Sequence, residues 1–323
     1  MKEYHVTALG ELLIDFTESG RSESGNLLLE ANPGGAPCNV LAMLSKLGKR
    51  CAFIGKVGRD AFGDLLEGSL KELRIDTVGL KRNDEVHTTL AFVHTMPGGE
   101  RSFSFYRNPG ADMTLSPEDI DATLLDSCEI FHFGSLSLTH PLCREATQAA
   151  IRRVKEAGAL ISFDPNLRES LWSNLSEAKE QIAWGLSQCD ILKISDNELA
   201  FMAETDDFDA GAKILLRQHP QIRLLILTAG ESGSFAYYDG QRCHAPVVDV
   251  EHVLEKTGAG DTFCGCVLNY VLDHGLDGLT LDDLNEMLAY ASAAAALIIQ
   301  RKGALRVMPA KAEIDALFAA KNR

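Results

Sequence analysis

Short unbroken apolar runs alternate along this chain with stretches whose apolar residues recur at helical spacing. Ala52-Phe53-Ile54-Gly55-Lys56-Val57-Gly58, Ile130-Phe131-His132-Phe133, Leu160-Ile161-Ser162-Phe163, Ile191-Leu192-Lys193-Ile194 and Leu224-Leu225-Ile226-Leu227-Thr228 predict strands buried on both faces. Val6-Thr7-Ala8-Leu9-Gly10-Glu11-Leu12-Leu13-Ile14-Asp15 predicts one further buried strand, with Glu11 and Asp15 delivered toward its C-terminal end. Between the strands, Val40, Leu41, Leu44 and Leu47 predict a helix that stops at Gly48, and Leu65, Leu66 and Leu70 a second. Further helices are expected from Pro141 to Ala157, after Asp261, and from Leu284 to Gln300, where Ala293–Ala296 favours helix and close packing. Repeated strand-helix alternation predicts an α/β fold with a parallel sheet covered on both faces.

The alternation breaks once. Thr88–Thr95 and Arg101–Arg107 are β-rich and joined by Met96-Pro97-Gly98-Gly99-Glu100, which reads as a hairpin. Inserted into a βα chain, such a hairpin predicts a lid or a dimer flap. Its Phe92, Phe103 and Phe105 give it edges that need covering, so dimerisation through these strands is expected. Arg107, Asn108, Ala111 and Asp112 follow, either as a polar rim that closes over a polyol or as a solvated loop after an edge strand.

Composition narrows the partners. With 323 residues, 46% hydrophobic and 24% charged, the chain suits one globular domain over 1–323 with a small appendage. A formal charge of −15 argues against nucleic acid and anionic membranes as partners. No apolar run reaches the length of a membrane helix, and Met1-Lys2-Glu3-Tyr4 is unlike a signal peptide, so a cytoplasmic protein is expected. Eight scattered cysteines without a Cys-x-x-Cys pair predict reduced, mostly buried thiols rather than zinc ligands or disulfides.

Candidate chemistry concentrates in Thr257-Gly258-Ala259-Gly260-Asp261-Thr262-Phe263. Gly258 and Gly260 allow a tight turn whose amides converge on an anion, and the helix that follows favours negative charge at its start. Asp261 is the candidate catalytic base, although the same string also fits an ordinary helix start with Asp261 as its cap. Gly34-Gly35-Ala36-Pro37-Cys38-Asn39 is a second glycine turn before a helix, with Asn39 able to donate and accept. Asp164-Pro165-Asn166-Leu167-Arg168 follows a strand, where open α/β sheets bind ligands. Ser195-Asp196-Asn197-Glu198 reads as a helix cap, and Gly230 and Gly233 leave room near Thr228 for a flat ligand. Neither Gly-x4-Gly-Lys-Ser/Thr nor Gly-x-Gly-x-x-Gly occurs, which argues against P-loop and simple dinucleotide folds.

Taken together, the two glycine strings, about 220 residues apart and in this order, resemble the signatures of the ribokinase-like (PfkB) sugar kinases, the fructokinases most closely. The resemblance spans nearly the whole chain. It implies a three-layer α/β/α fold with a mostly parallel central sheet and a small β lid formed near 11–32 and 86–112. It also implies phosphoryl transfer from ATP, with Mg²⁺, to a sugar hydroxyl, and a homodimer through the lid. By that resemblance Asp261 is the base, and the amides of Gly258, Ala259 and Gly260 are the anion hole. Asp15, Gly34, Gly35, Asn39, Phe105, Arg107 and Arg168 face the sugar. Lys193, Thr228, Gly230 and Gly233 join Gly258 and Gly260 at the nucleotide, and Glu198 organises Mg²⁺ through water.

Phe105–Asp112 resembles the fructokinase lid, which points to fructose. Asp164–Arg168 followed by Leu171-Trp172 also resembles 2-keto-3-deoxygluconate kinases, for whose acidic sugar Arg107 and Arg168 would supply cations. A sugar- or nucleotide-binding regulator without turnover is the remaining alternative. Four positions depart from the family's habit. Ser195 stands for the usual Asn, Cys38 for a more frequent Ala, and Glu255-Lys256-Thr257 for Asp-Thr-Thr. The last change leaves a K⁺ site at Glu255 and Thr257 open, with Lys256 a competing cation.

Overall fold

The computed structural model describes residues 2–95 and 101–321. In chain order its strands and helices are β1 Tyr4–Leu9, β2 Leu13–Arg21, β3 Leu27–Gly34, α1 Ala36–Lys46, β4 Cys51–Gly58, α2 Ala61–Glu72, β5 Ile75–Asn83, β6 Leu90–Thr95, β7 Arg101–Tyr106, α3 Ala122–Asp126, β8 Cys128–Gly134 and α4 Pro141–Glu156. They continue as β9 Leu160–Asp164, α5 Leu175–Leu186, β10 Ile191–Ser195, α6 Asp196–Ala203, α7 Phe208–Gln218, β11 Leu224–Thr228, β12 Ser234–Tyr238, β13 Gln241–Ala245, α8 Ala259–His274, α9 Leu281–Ile298 and α10 Lys311–Lys321.

Among the described residues, nine strands form one sheet in the order β13-β12-β11-β10-β9-β8-β1-β4-β5. Pairing is parallel from β11 through β5, and β12 runs antiparallel to both its neighbours. Alternation along each strand divides the core. Val6, Ala8, Phe53, Leu224 and Ile226 pack with α1, α8 and α9, while Leu9, Phe131, Phe163, Leu192 and Leu225 pack with α4, α5 and α7. Both faces are therefore covered, as the unbroken apolar runs require. All eight cysteines are free and buried. Among the described residues no helix is long and apolar enough to cross a membrane.

A second, four-stranded sheet runs β3-β2-β6-β7. The N-terminal apolar run is shared between the two sheets instead of forming one strand. β1 ends at Leu9, the chain turns through Gly10–Leu12, and β2 begins at Leu13 beside β3 and β6. The turn is closely packed: a Cβ on Gly10 would lie 2.7 Å from Pro37, at the start of α1. β6 and β7 pair antiparallel, and the Met96–Glu100 connection and the Phe103 side chain lie outside the described residues. Phe92 stacks on Phe16 with ring centroids 5.1 Å apart and meets Tyr106 at 5.0 Å. Among the described residues, the exposed large apolar side chains of this sheet are Leu27, Leu28 and Leu29 on edge strand β3, together with Tyr106 on β7.

Candidate active site

Parallel strands release their polar residues at one edge of the large sheet, where two clefts adjoin. The first, of about 270 Å³, is lined by Glu11, Asp15, Gly35, Asn39 and Phe105 from the N-terminal side and the second sheet. Its other wall holds Arg168, Lys193, Lys256, Thr257, Gly258, Gly260 and Asp261. The second, of about 380 Å³, is lined by Asn166, Leu167, Arg168, Lys193, Ser195, Asn197 and Glu198, among others. Asn166, Arg168 and Lys193 belong to both.

At the mouth of α8 the backbone turns through Gly258, whose φ of 78° lies in the left-handed region. Gly258, Ala259 and Gly260 precede the first intrahelical bond, from Thr262 N to Gly258 O at 2.8 Å, so the helix does not consume their N–H groups. The Ala259 amide makes only a long contact to Lys256 O, at 3.4 Å. Asp261 follows in the first turn, where Asn39 Nδ2 of α1 donates to its Oδ2 at 2.7 Å. This contact joins two elements 222 positions apart. Asp261 keeps some surface open to the cleft, yet protein encloses its carboxylate. Burial raises its pKa above the usual aspartate range, against the opposing pull of Asn39, Lys193 and Arg168.

Glu11 occupies the turn between the two sheets and accepts the Ala36 N–H at 2.8 Å. Burial pushes its pKa up to about 7, and the nearby Asp112 charge adds to the rise. Lys193 Nζ lies 3.0 Å from Asp164 Oδ2. Burial works against its charge, but Asp164, Glu198 and Asp261 together raise its pKa above the ordinary lysine value. Glu198 closes a capping box at α6, its Oε2 accepting Ser195 N–H and its Oε1 accepting Leu167 N–H, at 2.8 and 2.7 Å. An acidic first-turn residue, two glycine turns and a buried cation thus surround a space suited to a phosphorylated ligand.

Residues 5–311 match the pfkB family of carbohydrate kinases. The chain belongs to that family. Among its relatives, a probable fructokinase-2 of Arabidopsis thaliana is 42% identical over 313 residues, covering 95% of this chain and 94% of the relative. A crystal structure of a fructokinase from Xylella fastidiosa with bound ATP superposes with a TM-score of 0.90 at 32% identity, covering 99% of this chain and 100% of that one. A Vibrio cholerae fructokinase, in a form with fructose, ADP and calcium ion bound, superposes with a TM-score of 0.86 at 30% identity, covering 97% and 98%.

In this pfkB kinase not every residue singled out from sequence lines the clefts. Arg107 is spent elsewhere: Nε donates to Asp112 Oδ2 at 2.7 Å, Nη1 to Thr139 Oγ1 at 2.8 Å and Nη2 to Leu136 O at 3.2 Å. Arg107 and Asp112 are buried as an ion pair, not displayed as a polar rim or solvated loop. Gly34 stands behind Asp15, where a Cβ would meet Asp15 Oδ2 at 2.4 Å. Thr228 pairs with Ser195 beside the second cleft, and Gly230 and Gly233 form the turn from β11 into β12. Glu255 is buried, with its Oε2 accepting Gly303 N–H at 2.8 Å. Asp164 lay inside a string noted from sequence without a role of its own, because its partner Lys193 comes from another strand.

Proposed function

We propose that the protein transfers the γ-phosphate of ATP to fructose, giving fructose 6-phosphate. The observation that carries this reading is Asp261, held by Asn39 at the start of α8 where the first cleft meets the glycine turn. Asp261 accepts the proton of the attacking sugar hydroxyl, and its raised pKa makes it a better acceptor near neutral pH than an ordinary aspartate. The Gly258, Ala259 and Gly260 amides stabilise the charge on the transferring phosphoryl group. Fructose occupies the first cleft against Asp15, Gly35, Asn39, Phe105 and Arg168, with Gly34 leaving room for Asp15. The nucleotide lies along the second cleft, past Lys193 toward Thr228, Gly230 and Gly233.

Glu198 suits a water-mediated Mg²⁺ role. Both its oxygens already accept backbone N–H groups, which fixes the carboxylate and leaves lone pairs for water. When bound there, Mg²⁺ would supply positive charge that offsets the charge of the phosphates. Glu255 and Thr257 are the candidate K⁺ residues. The second sheet serves as the lid, since Leu13, Asp15 and Phe105 reach the first cleft from it, and its exposed β3 leucines support a homodimer through it.

The geometry also bears on the sugar. Arg107 is committed to Asp112 and the Leu136–Thr139 segment, so it does not provide a cation for an acidic substrate. The same cleft sets three carboxylates, Glu11, Asp15 and Asp261, against three cations, Arg168, Lys193 and Lys256, so the choice of fructose rests on the resemblance of its lid to that of fructokinases. The test is ADP release from MgATP with fructose, ribose, tagatose and 2-keto-3-deoxygluconate, with and without K⁺. Fructose should lead in kcat/KM. Asp261→Asn should lower kcat by at least about 10² while sugar and ATP binding stay nearly intact; near-native turnover would remove Asp261 as the base.

A further inference from the structure

Asp164 and Lys193 belong to neighbouring parallel strands, β9 and β10. The register, with Leu192 beside Phe163, brings the next residues, Lys193 and Asp164, onto the sheet face that α8 covers. There Lys193 Nζ meets Asp164 Oδ2 at 3.0 Å. A Cβ on Gly260 would meet the same Nζ at 2.9 Å, so the ammonium lies directly against the turn that opens α8. Lys193 also lines both clefts, and is one of the residues where they join.

Asp164 is an expensive side chain to keep. It is 2% exposed, and neither oxygen has an aligned hydrogen-bond partner, its contact with Lys193 being an ion pair. Burial pushes its pKa up to about 6, against the pull of Lys193. The Glu198 and Asp261 charges add to the rise, while the buried His132 and Cys264 nearby supply no counter-charge. His132 Nδ1 lies 3.0 Å from Ser162 Oγ and burial drives its pKa down to about 3, while burial also pushes the Cys264 thiol up. Buried ion pairs of this kind are weak contributors to stability, so packing alone gives little reason for this one.

We propose that Asp164 is a positioning residue for phosphoryl transfer, anchoring Lys193 against Gly260 so that its ammonium forms the charged wall of the phosphate site between the two clefts. The proposal rests on the kinase reading above. Lys193 is the group that touches phosphate, and Asp164 acts through it. An ammonium held by one carboxylate keeps its remaining N–H donors for phosphate oxygens. The tether also fixes a flexible stem before the nucleotide arrives.

The experiment compares wild type, Asp164→Asn, Lys193→Met and the double variant. Dissociation constants for MgATP and MgADP are measured by calorimetry, and kcat and KM with fructose. Lys193→Met should lower kcat by about 10² and abolish most of the preference for ATP over ADP. Asp164→Asn should move the same two quantities by about tenfold, with the KM for fructose little changed, and Asp164→Glu should restore part of the loss. The double variant should be no worse than Lys193→Met, because Asp164 acts only through that residue. Native turnover and ATP preference in Asp164→Asn, or additive losses in the double variant, would overturn the proposal. If Asp164→Asn fails to fold, a Lys193→Met protein that still prefers ATP over ADP overturns it alone. A wild type that phosphorylates no sugar defeats the kinase reading instead, and the nucleotide affinities still judge the pair.

Discussion

Glu11 sits where the chain crosses from the large sheet to the small one, with its Oε1 on Ala36 N–H and 4% of its surface exposed. Burial pushes its pKa from the usual 4.5 to about 7. Below the lower value both folded and unfolded chains are protonated, and the contribution to stability is complete. Between the two, the unfolded chain releases its proton first, so stability falls as pH rises and levels off above about 7. Glu11→Gln keeps an acceptor for Ala36 and removes this loss. Its melting temperature should exceed that of wild type at pH above 7 by the equivalent of roughly 1–3 kcal/mol, with no advantage near pH 4. An equal difference at both pH values would mean that Glu11 does not titrate in this range. Glu11 and Asp15 were legible as polar residues following an apolar run. The Arg107–Asp112 pair was not, because Thr139 and Leu136 meet it from a distant part of the chain.

The helices that open on glycine turns, α1 and α8, deliver the site's most closely coupled side chains, Asn39 and Asp261. Gly35, with φ 126°, precedes α1 so closely packed that a Cβ would lie 2.4 Å from Glu11 O. Gly258, with φ 78°, precedes α8, and a Cβ there would meet Ala304 Cβ at 2.8 Å. Gly258→Ala should therefore cost about 1–2 kcal/mol from the left-handed conformation alone, with more from the contact. Denaturant unfolding should show that loss, and kcat should fall further than the unfolded fraction explains, since the amide turn moves with it. Helix starts and stops were readable from local residues: Ser195 and Glu198 form the capping box the string suggests, and Gly48 follows α1 in the left-handed region. The division of the N-terminal run into β1 and β2 was not readable, because both halves are apolar and only the partner strands differ.

At the scale of the molecule the second sheet is the exposed part. β3 is an edge strand whose Leu27, Leu28 and Leu29 are 49%, 44% and 39% exposed. Three adjacent leucines on an unpaired edge are a surface that folded proteins normally cover. Of the aromatic residues first suspected, Phe92 packs within the sheet and Phe105 reaches the first cleft, so a contact through this sheet would fall to the leucines. Wild type should sediment as a dimer at micromolar concentration and Leu28→Glu as a monomer; a monomeric wild type would count against the lid interface.

Sequence alone determined the α/β class, the chain positions of six of the nine strands of the large sheet, the two glycine turns and Asp261 at a helix start. Each depends on apolar periodicity or on backbone freedom within a few neighbouring residues. Tertiary structure decided which of the suspected polar residues share a cavity. It set Asn39 on Asp261, sent Arg107 into a buried pair, and brought Lys193, Asp164 and Gly260 together from three elements. Such contacts depend on strand register and helix docking across long stretches of chain, and no local pattern encodes them.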